Sequence, residues 1–204
     1  MIRSDIFKGK ENVMPNWCQN TLFVSGDKKS LDIFRERAKG RVQSYNSFRG
    51  GEWPAFEQVR LHALISTPPD GGEVSEISFH RLYPVPAATR AAPYDPGTLK
   101  RVFDALGFVK SQHPVAGYNW ESNNWGVKWG ARDVMVSHGD GTLSYDFNTP
   151  WGPPAGLLHK VAKDYPTLSF YLSYNEPGMG VEGEYSFSLG ALQEEGHWDM
   201  ESEE

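Results

Sequence analysis

The sequence predicts an α+β fold, a mainly antiparallel sheet with helices on one face, arranged as a two-layer sandwich. Three observations carry this. Apolar and polar residues alternate with period two in several short runs, as half-buried strands require. Other stretches place apolar residues at helical spacing, opened by Asp or Pro and closed by Gly or Pro. A strong hairpin signal joins two of the strand runs, and helices falling between antiparallel strands pack on one side of the sheet. With 204 residues, 39% of them hydrophobic, the chain can bury a core, and 21 Gly and 14 Pro suit many short elements.

Residues 1–13 are polar and show no period. Within residues 17–26, Cys18, Leu22 and Val24 share one face and Trp17, Thr21 and Phe23 the other, which predicts a strand covered on both sides near its end. Asp27 caps a helix through about Ala38 with Leu31, Phe34 and Ala38 inward, and Gly40 ends it. Lys28, Lys29, Arg35, Arg37, Lys39 and Arg41 make this helix basic, either as a solvated face or as a phosphate-contacting ridge. Residues 40–75 are rich in loops, at Arg49-Gly50-Gly51 and Thr67–Gly72, around a short strand or helical turn at Val59–Ile65. Ile77–Pro86 alternates and is then halted by proline, so it predicts a strand. Asp95-Pro96 opens a helix with Leu99, Val102, Phe103 and Leu106 inward, closed by Gly107.

The second half is sharper. Arg132–Ser137 and Leu143–Asn148 form a hairpin through His138-Gly139-Asp140-Gly141-Thr142. Ala155–Asp164 is a helix with Leu157, Leu158, Val161 and Ala162 on one face, ended by Pro166. Leu168–Tyr174 and Glu184–Leu189 are strands whose linker holds Gly178, Gly180 and Gly183, implying positive φ or close backbone contact.

The net charge of −6 is unevenly placed. Six of the 26 acids lie in residues 191–204, which contain no Lys or Arg, leaving 20 acids against 20 bases in residues 1–190. An acidic tail at 191–204 is therefore expected, as a solvated end. Cys18 is the single cysteine, so an intramolecular disulfide is excluded and a reducing compartment is implied. With no membrane-spanning apolar run and no signal-peptide core, the expected location is the host-cell cytoplasm, away from membrane.

Four stretches resemble the YubB ferredoxin-like family of phage and plasmid proteins: Met14–Cys18 with Asn20 and Gly26; Phe79–Pro86; Asn119–Ala131; and Asp146–Trp151 with Glu176–Gly180. The resemblance implies a ferredoxin-like sandwich over residues 14–190, with a central insertion at about residues 40–115. It also implies a start at Met14 with residues 1–13 as an extension, and the setting of a phage or mobile element. It brings no activity with it. An iron–sulfur cluster needs four thiolates, so the single Cys18 makes "ferredoxin-like" a statement about fold alone.

Most chemistries find no constellation. The six histidines, at 62, 80, 113, 138, 159 and 197, lack metal-ligand spacing; His80 is expected packed or at the surface, and His138 exposed in the hairpin. Gly178–Gly183 fits G-x-G-x-x-G but sits between strands, with no helix terminus to cradle a pyrophosphate. Cys18, beside Trp17, is expected to be inert. A start at Met14 would expose Pro15 as a secondary amine, a general base of the kind seen in proteins resembling tautomerases.

What stands out is the aromatic segment, where Trp120, Trp125 and Trp129 alternate with Asn119, Asn123, Asn124 and Lys128. It is a structural loop, a recognition surface, or a base-stacking platform. The expectation is a non-enzymatic module, without metal or cofactor, binding a host or phage protein through Trp120, Asn124, Trp125, Lys128, Trp129 and Trp151. The alternative is single-stranded nucleic-acid binding through the tryptophans and the helix at 28–39, against which stand the neutral body and the missing RNA-recognition signature. An enzyme of another type ranks third.

Overall fold

The computed structural model describes residues 16–45 and 67–200. The expectations placed on Met14, Pro15, His62, Arg49-Gly50-Gly51 and Val59–Ile65 lie outside the described residues. The first alternating run is β1, Trp17–Ser25, with Cys18, Asn20, Leu22 and Val24 buried. Its other face is not covered, contrary to expectation: Trp17 and Phe23 are exposed because the helices pack on one side of the sheet alone. Asp27 caps α1, Lys28–Ala38, by accepting from the Ser30 N–H at 3.0 Å, and Leu31, Phe34 and Ala38 face inward.

The hairpin consists of β4, Arg132–Gly139, and β5, Thr142–Pro150. Its loop is only Asp140-Gly141, with Gly141 at φ +70°, the left-handed geometry that Asp-Gly turns supply. The last helix spans Ala155–Asp164, followed by β6, Ser169–Glu176, and β7, Val181–Ser188. The six-stranded sheet, completed by β8 (Ala191–Asp199), runs β4-β5-β1-β6-β7-β8, with every neighbouring pair antiparallel. Four of these strands with the first and last helices make a ferredoxin-like unit, β1–α–β4–β5–α–β6, in spatial order β4-β5-β1-β6. Phe34 centres the core, edge-on to Tyr145, Tyr165 and Phe170.

The chain between α1 and β4 holds a two-stranded sheet, β2 (Gly40–Val42) with β3 (Gly71–Ser75), then four helices: α2 (Phe79–Leu82), α3 (Ala87–Ala91), α4 (Pro96–Ala105) and α5 (Gly117–Asn124); the Ala155–Asp164 helix is thus α6. Residues 77–86 are therefore not a strand. Phe79 and Leu82, three apart, bury together on a single helical turn closed by the Tyr83 N–H donating to the Phe79 carbonyl at 2.7 Å. Ser78 anchors that turn to the end of α1 through its N–H to the Ala38 carbonyl, 2.8 Å. His80 is packed, its Nδ1 accepting from the Val85 N–H at 2.9 Å beside the Arg90–Asp70 ion pair of 2.6 Å. Burial first, then the Arg90 charge, hold its pKa below the ordinary imidazole value.

Residues 191–199 also depart from expectation. They are no solvated end but β8, Ala191–Asp199, paired along β7. Gly183 makes that pairing possible: a Cβ there would collide with the Gly196 carbonyl and the Tyr174 hydroxyl. The Tyr174 hydroxyl meets Nδ1 of His197 on β8 at 2.7 Å.

Candidate functional site

The aromatic segment divides into an inward and an outward half. Its first part is not a loop but helix α5, capped by the Trp125 N–H donating to the Glu121 carbonyl at 2.7 Å. Trp125 is 0% exposed, its indole N–H donating to the Tyr83 carbonyl at 3.0 Å and its ring edge-on to Phe79 and Trp120. Trp120 packs against the core and Tyr83. Asn124 donates to the Trp120 carbonyl at 2.8 Å and accepts from the Tyr83 hydroxyl at 2.9 Å. Trp125 is thus wholly enclosed, which corrects the sequence expectation that it presents a surface, while Trp120 and Asn124 are half-buried and engaged with Tyr83.

Glu121 controls the turn that follows. Its carboxylate is 0% exposed and accepts from Gln43, from the Tyr45 hydroxyl at 2.7 Å, from the Tyr94 hydroxyl at 2.9 Å and from the Trp129 N–H at 2.9 Å. Burial pushes its pKa up, against the pull of those hydrogen bonds. The same burial, with the Glu121 charge behind it, raises the Tyr45 and Tyr94 hydroxyls far above their ordinary value. A cavity of about 200 Å³ beside them is also lined by Val42 and Arg132. With each carboxylate oxygen already accepting two donors, Glu121 is a joint that holds together separate stretches of the chain between α1 and β4, not a free ligand.

The outward half meets at Lys128. Its ammonium lies 4.9 Å from the Trp129 ring centre, 5.3 Å from Trp151 and 5.8 Å from Tyr118, within cation–π reach. Trp129 and Trp151 both sit at positive φ, +67° and +69°. For bulky residues this left-handed backbone costs about 1–3 kcal/mol each and survives only where neighbours impose it. At Trp129 the Glu121 carboxylate imposes it. At Trp151 the N–H is held by the Asn16 carbonyl at 2.9 Å, and the corner beyond by Thr149 donating to the Gly152 carbonyl at 2.7 Å. Buried Asn20 fixes Thr149 in turn, donating to its hydroxyl at 2.7 Å.

The open face of the sheet is a second surface, which sequence reasoning missed. A groove of about 640 Å³ runs across β4, β5, β1, β6 and β7 to Trp198 of β8. Asp133, Asp146, Glu182 and Glu184 line it, and among the described residues no Lys, Arg or His does. Each of these carboxylates is oriented by a neutral donor: Asp146 by the Thr21 hydroxyl at 2.7 Å, Asp133 by the Asn148 amide at 3.1 Å, Glu182 by the Trp198 indole at 2.8 Å, and Glu184 by the Tyr171 hydroxyl at 2.5 Å. Their charge is held in place, and none of them has an ion pair among the described residues. The buried Asn175 Oδ1 in the same groove has no hydrogen-bond partner among the described residues. The signal was present in the sequence, since Asp146 and Glu184 fall at the outward parity of their strands.

Cys18 faces the other way, into the core. Burial, and then the charge of Glu176, push its thiol up to about 12, so thiolate chemistry is suppressed at neutral pH. Glu176 is itself 1% exposed, with no hydrogen bond to either carboxylate oxygen. Among the described residues no group of His, Cys, Asp and Glu converges as a metal site, and no helix is long and apolar enough to cross a membrane.

Residues 124–204 match the family model described as the ferredoxin-like domain in Api92-like protein. The match takes in the β4–β5 hairpin, α6 and the strands through β8, and the family it points to is the Api92-like one rather than YubB specifically. The chain is also similar to the crystal structure of protein api92 from Yersinia pseudotuberculosis, with a TM-score of 0.51 and 14% identity, covering 93% of this chain and 100% of that one. At that identity the likeness establishes the ferredoxin-like fold and nothing further. No curated protein matches the chain.

Proposed function

We propose that this protein is a non-enzymatic binding module whose open sheet face takes a Lys- or Arg-rich segment of a protein partner. The observation that carries the reading is the groove with carboxylates at Asp133, Asp146, Glu182 and Glu184 and no cationic side chain among the described residues that line it. Charges already oriented by neutral donors lose little freedom when a cationic partner arrives, so attraction is spent on binding rather than on ordering. Exposed Phe23, Met135, Tyr171 and Trp198 supply apolar and aromatic contact on the same face or its rim. The resemblance to YubB-type phage and plasmid proteins supports a mobile-element setting, with a host or phage protein met in the cytoplasm as the partner.

Single-stranded nucleic acid is the weaker reading. Phosphates would meet carboxylates in the groove, Trp125 has no face to offer a base, and on α1 Lys28 is paired with Asp32. An enzyme ranks below both: the one thiol is suppressed, and the buried Glu121 is saturated with donors.

The test titrates the protein with a lysine decapeptide and with a thymidine decanucleotide. Peptide binding is expected, falling steeply as salt rises, and weakened several-fold in Glu182→Gln/Glu184→Gln. Tight oligonucleotide binding, or peptide binding indifferent to those substitutions, would overturn the reading.

A further inference from the structure

We propose that Tyr118, Trp129 and Trp151 form a binding site for an alkylated ammonium ion, and that Lys128 fills it in the free protein as a tethered stand-in. The site lies off the sheet groove and stands whether or not that groove binds a protein. Three ring centres lie 4.9–5.8 Å from one ammonium nitrogen, the arrangement by which aromatic cages hold cationic nitrogen.

The surroundings argue against a lysine that merely happens to lie there. Among the described residues Lys128 has no ion pair, a property it shares with Lys29, Lys110 and Lys163; what sets it apart is an ammonium within cation–π reach of three rings, where that of Lys160 reaches one. The rings are its partners. Two of the four non-glycine positions at positive φ among the described residues are Trp129 and Trp151 themselves, so strained backbone is retained on two separate segments, and both strained residues turn their rings to the same nitrogen. Buried groups enforce each: Glu121 behind Trp129, and Asn20 through Thr149 behind Trp151. Tyr118 is 40% and Trp151 47% exposed, so the site opens to solvent and the flexible lysine stem has room to leave.

The ligand class follows from what the walls lack. Ring faces offer a cation quadrupolar attraction but few hydrogen-bond acceptors. A primary ammonium must give up water there without replacement, while a methylated ammonium carries fewer N–H groups to satisfy. A di- or trimethylated ammonium therefore suits the cage better than the lysine that fills it.

The probe is tetramethylammonium chloride, with sodium chloride at matched ionic strength as the control, followed through the indole resonances of Trp129 and Trp151. Lys128→Ala should bind it about tenfold more tightly than the unaltered chain, since the tethered competitor is gone. Adding Trp151→Ala or Tyr118→Leu to Lys128→Ala should cost that gain, with an unmoved Trp125 resonance reporting that the fold is intact. The proposal is overturned if Lys128→Ala binds no more tightly than the parent, or if neither ring substitution weakens the gain.

Discussion

Trp125 and Trp151, with the β4–β5 hairpin between them, are spent in opposite ways. Trp125 sits in an ordinary helical backbone, φ −91°, with its ring wholly enclosed and its N–H satisfied. Trp151 occupies strained backbone, and its ring is left at the surface over a lysine. The lesson is that a run of tryptophans is not a unit. One half supplies packing energy, and the other half costs conformational energy to hold rings where solvent can reach them.

Substitutions can break that contrast. The largest effect belongs to Trp125→Ala, which empties the centre of the contact with Phe79 and Trp120. A loss of about 3–5 kcal/mol in denaturant unfolding is expected. If the loss is under about 1 kcal/mol, the inward assignment fails.

Glu121→Gln comes next, because an amide would turn N–H groups toward donors that now meet carboxylate oxygens. The expected cost is about 1–3 kcal/mol. Its pH dependence has a definite sign. The folded pKa is raised above the ordinary 4.5, so the fold favours the protonated acid. The stability this group contributes is complete below about pH 4.5 and is lost as pH rises through the folded value. Unfolding free energies measured from pH 4 upward should fall through this window in the parent and fall less in Glu121→Gln. A parallel pair of curves would remove Glu121 from the account.

The smallest change is expected at Trp151→Gly. Relief of the positive φ offsets the lost ring contacts, leaving stability within about 1 kcal/mol of the parent. A loss as large as that of Trp125→Ala would make the outward half structural after all.

Much of this molecule could be read from residues. Alternation in β1, the Asp27 cap, the Asp-Gly turn, the buried stripe of the Ala155–Asp164 helix and the mainly antiparallel character of the sheet followed from local chemistry. What escaped did so for physical reasons. Phe79 and Leu82 fit a strand as well as a single helical turn, and tertiary contacts with α1 decided between them. Helix α5 buries a glutamate, so it has no apolar stripe to recognise. Strand β8 is an edge, and its acids, which discourage pairing with other chains, look like a solvated end. The positive φ at Trp129 and Trp151 has no sequence signal, because the usual marks are Gly and Asn. At the site, Lys128, Trp129 and Trp151 were legible as a group, while Trp120, Asn124 and Trp125 were not separable from them without the packing. Tyr118 joined them only through the packing that brings Lys128 over its ring, and the acidic groove, half visible in the outward parity of Asp146 and Glu184, took shape only with the strand order.

The central claim is that the open sheet face, not the helical one, meets a cationic partner. Amide chemical-shift mapping with the lysine decapeptide tests it most directly. The account predicts shifts at Thr21, Asp146, Tyr171 and Glu184 that fade at about 1 M salt, where the screening length is ~3 Å. Shifts confined to α1 and α6, with those four amides unmoved, would contradict it.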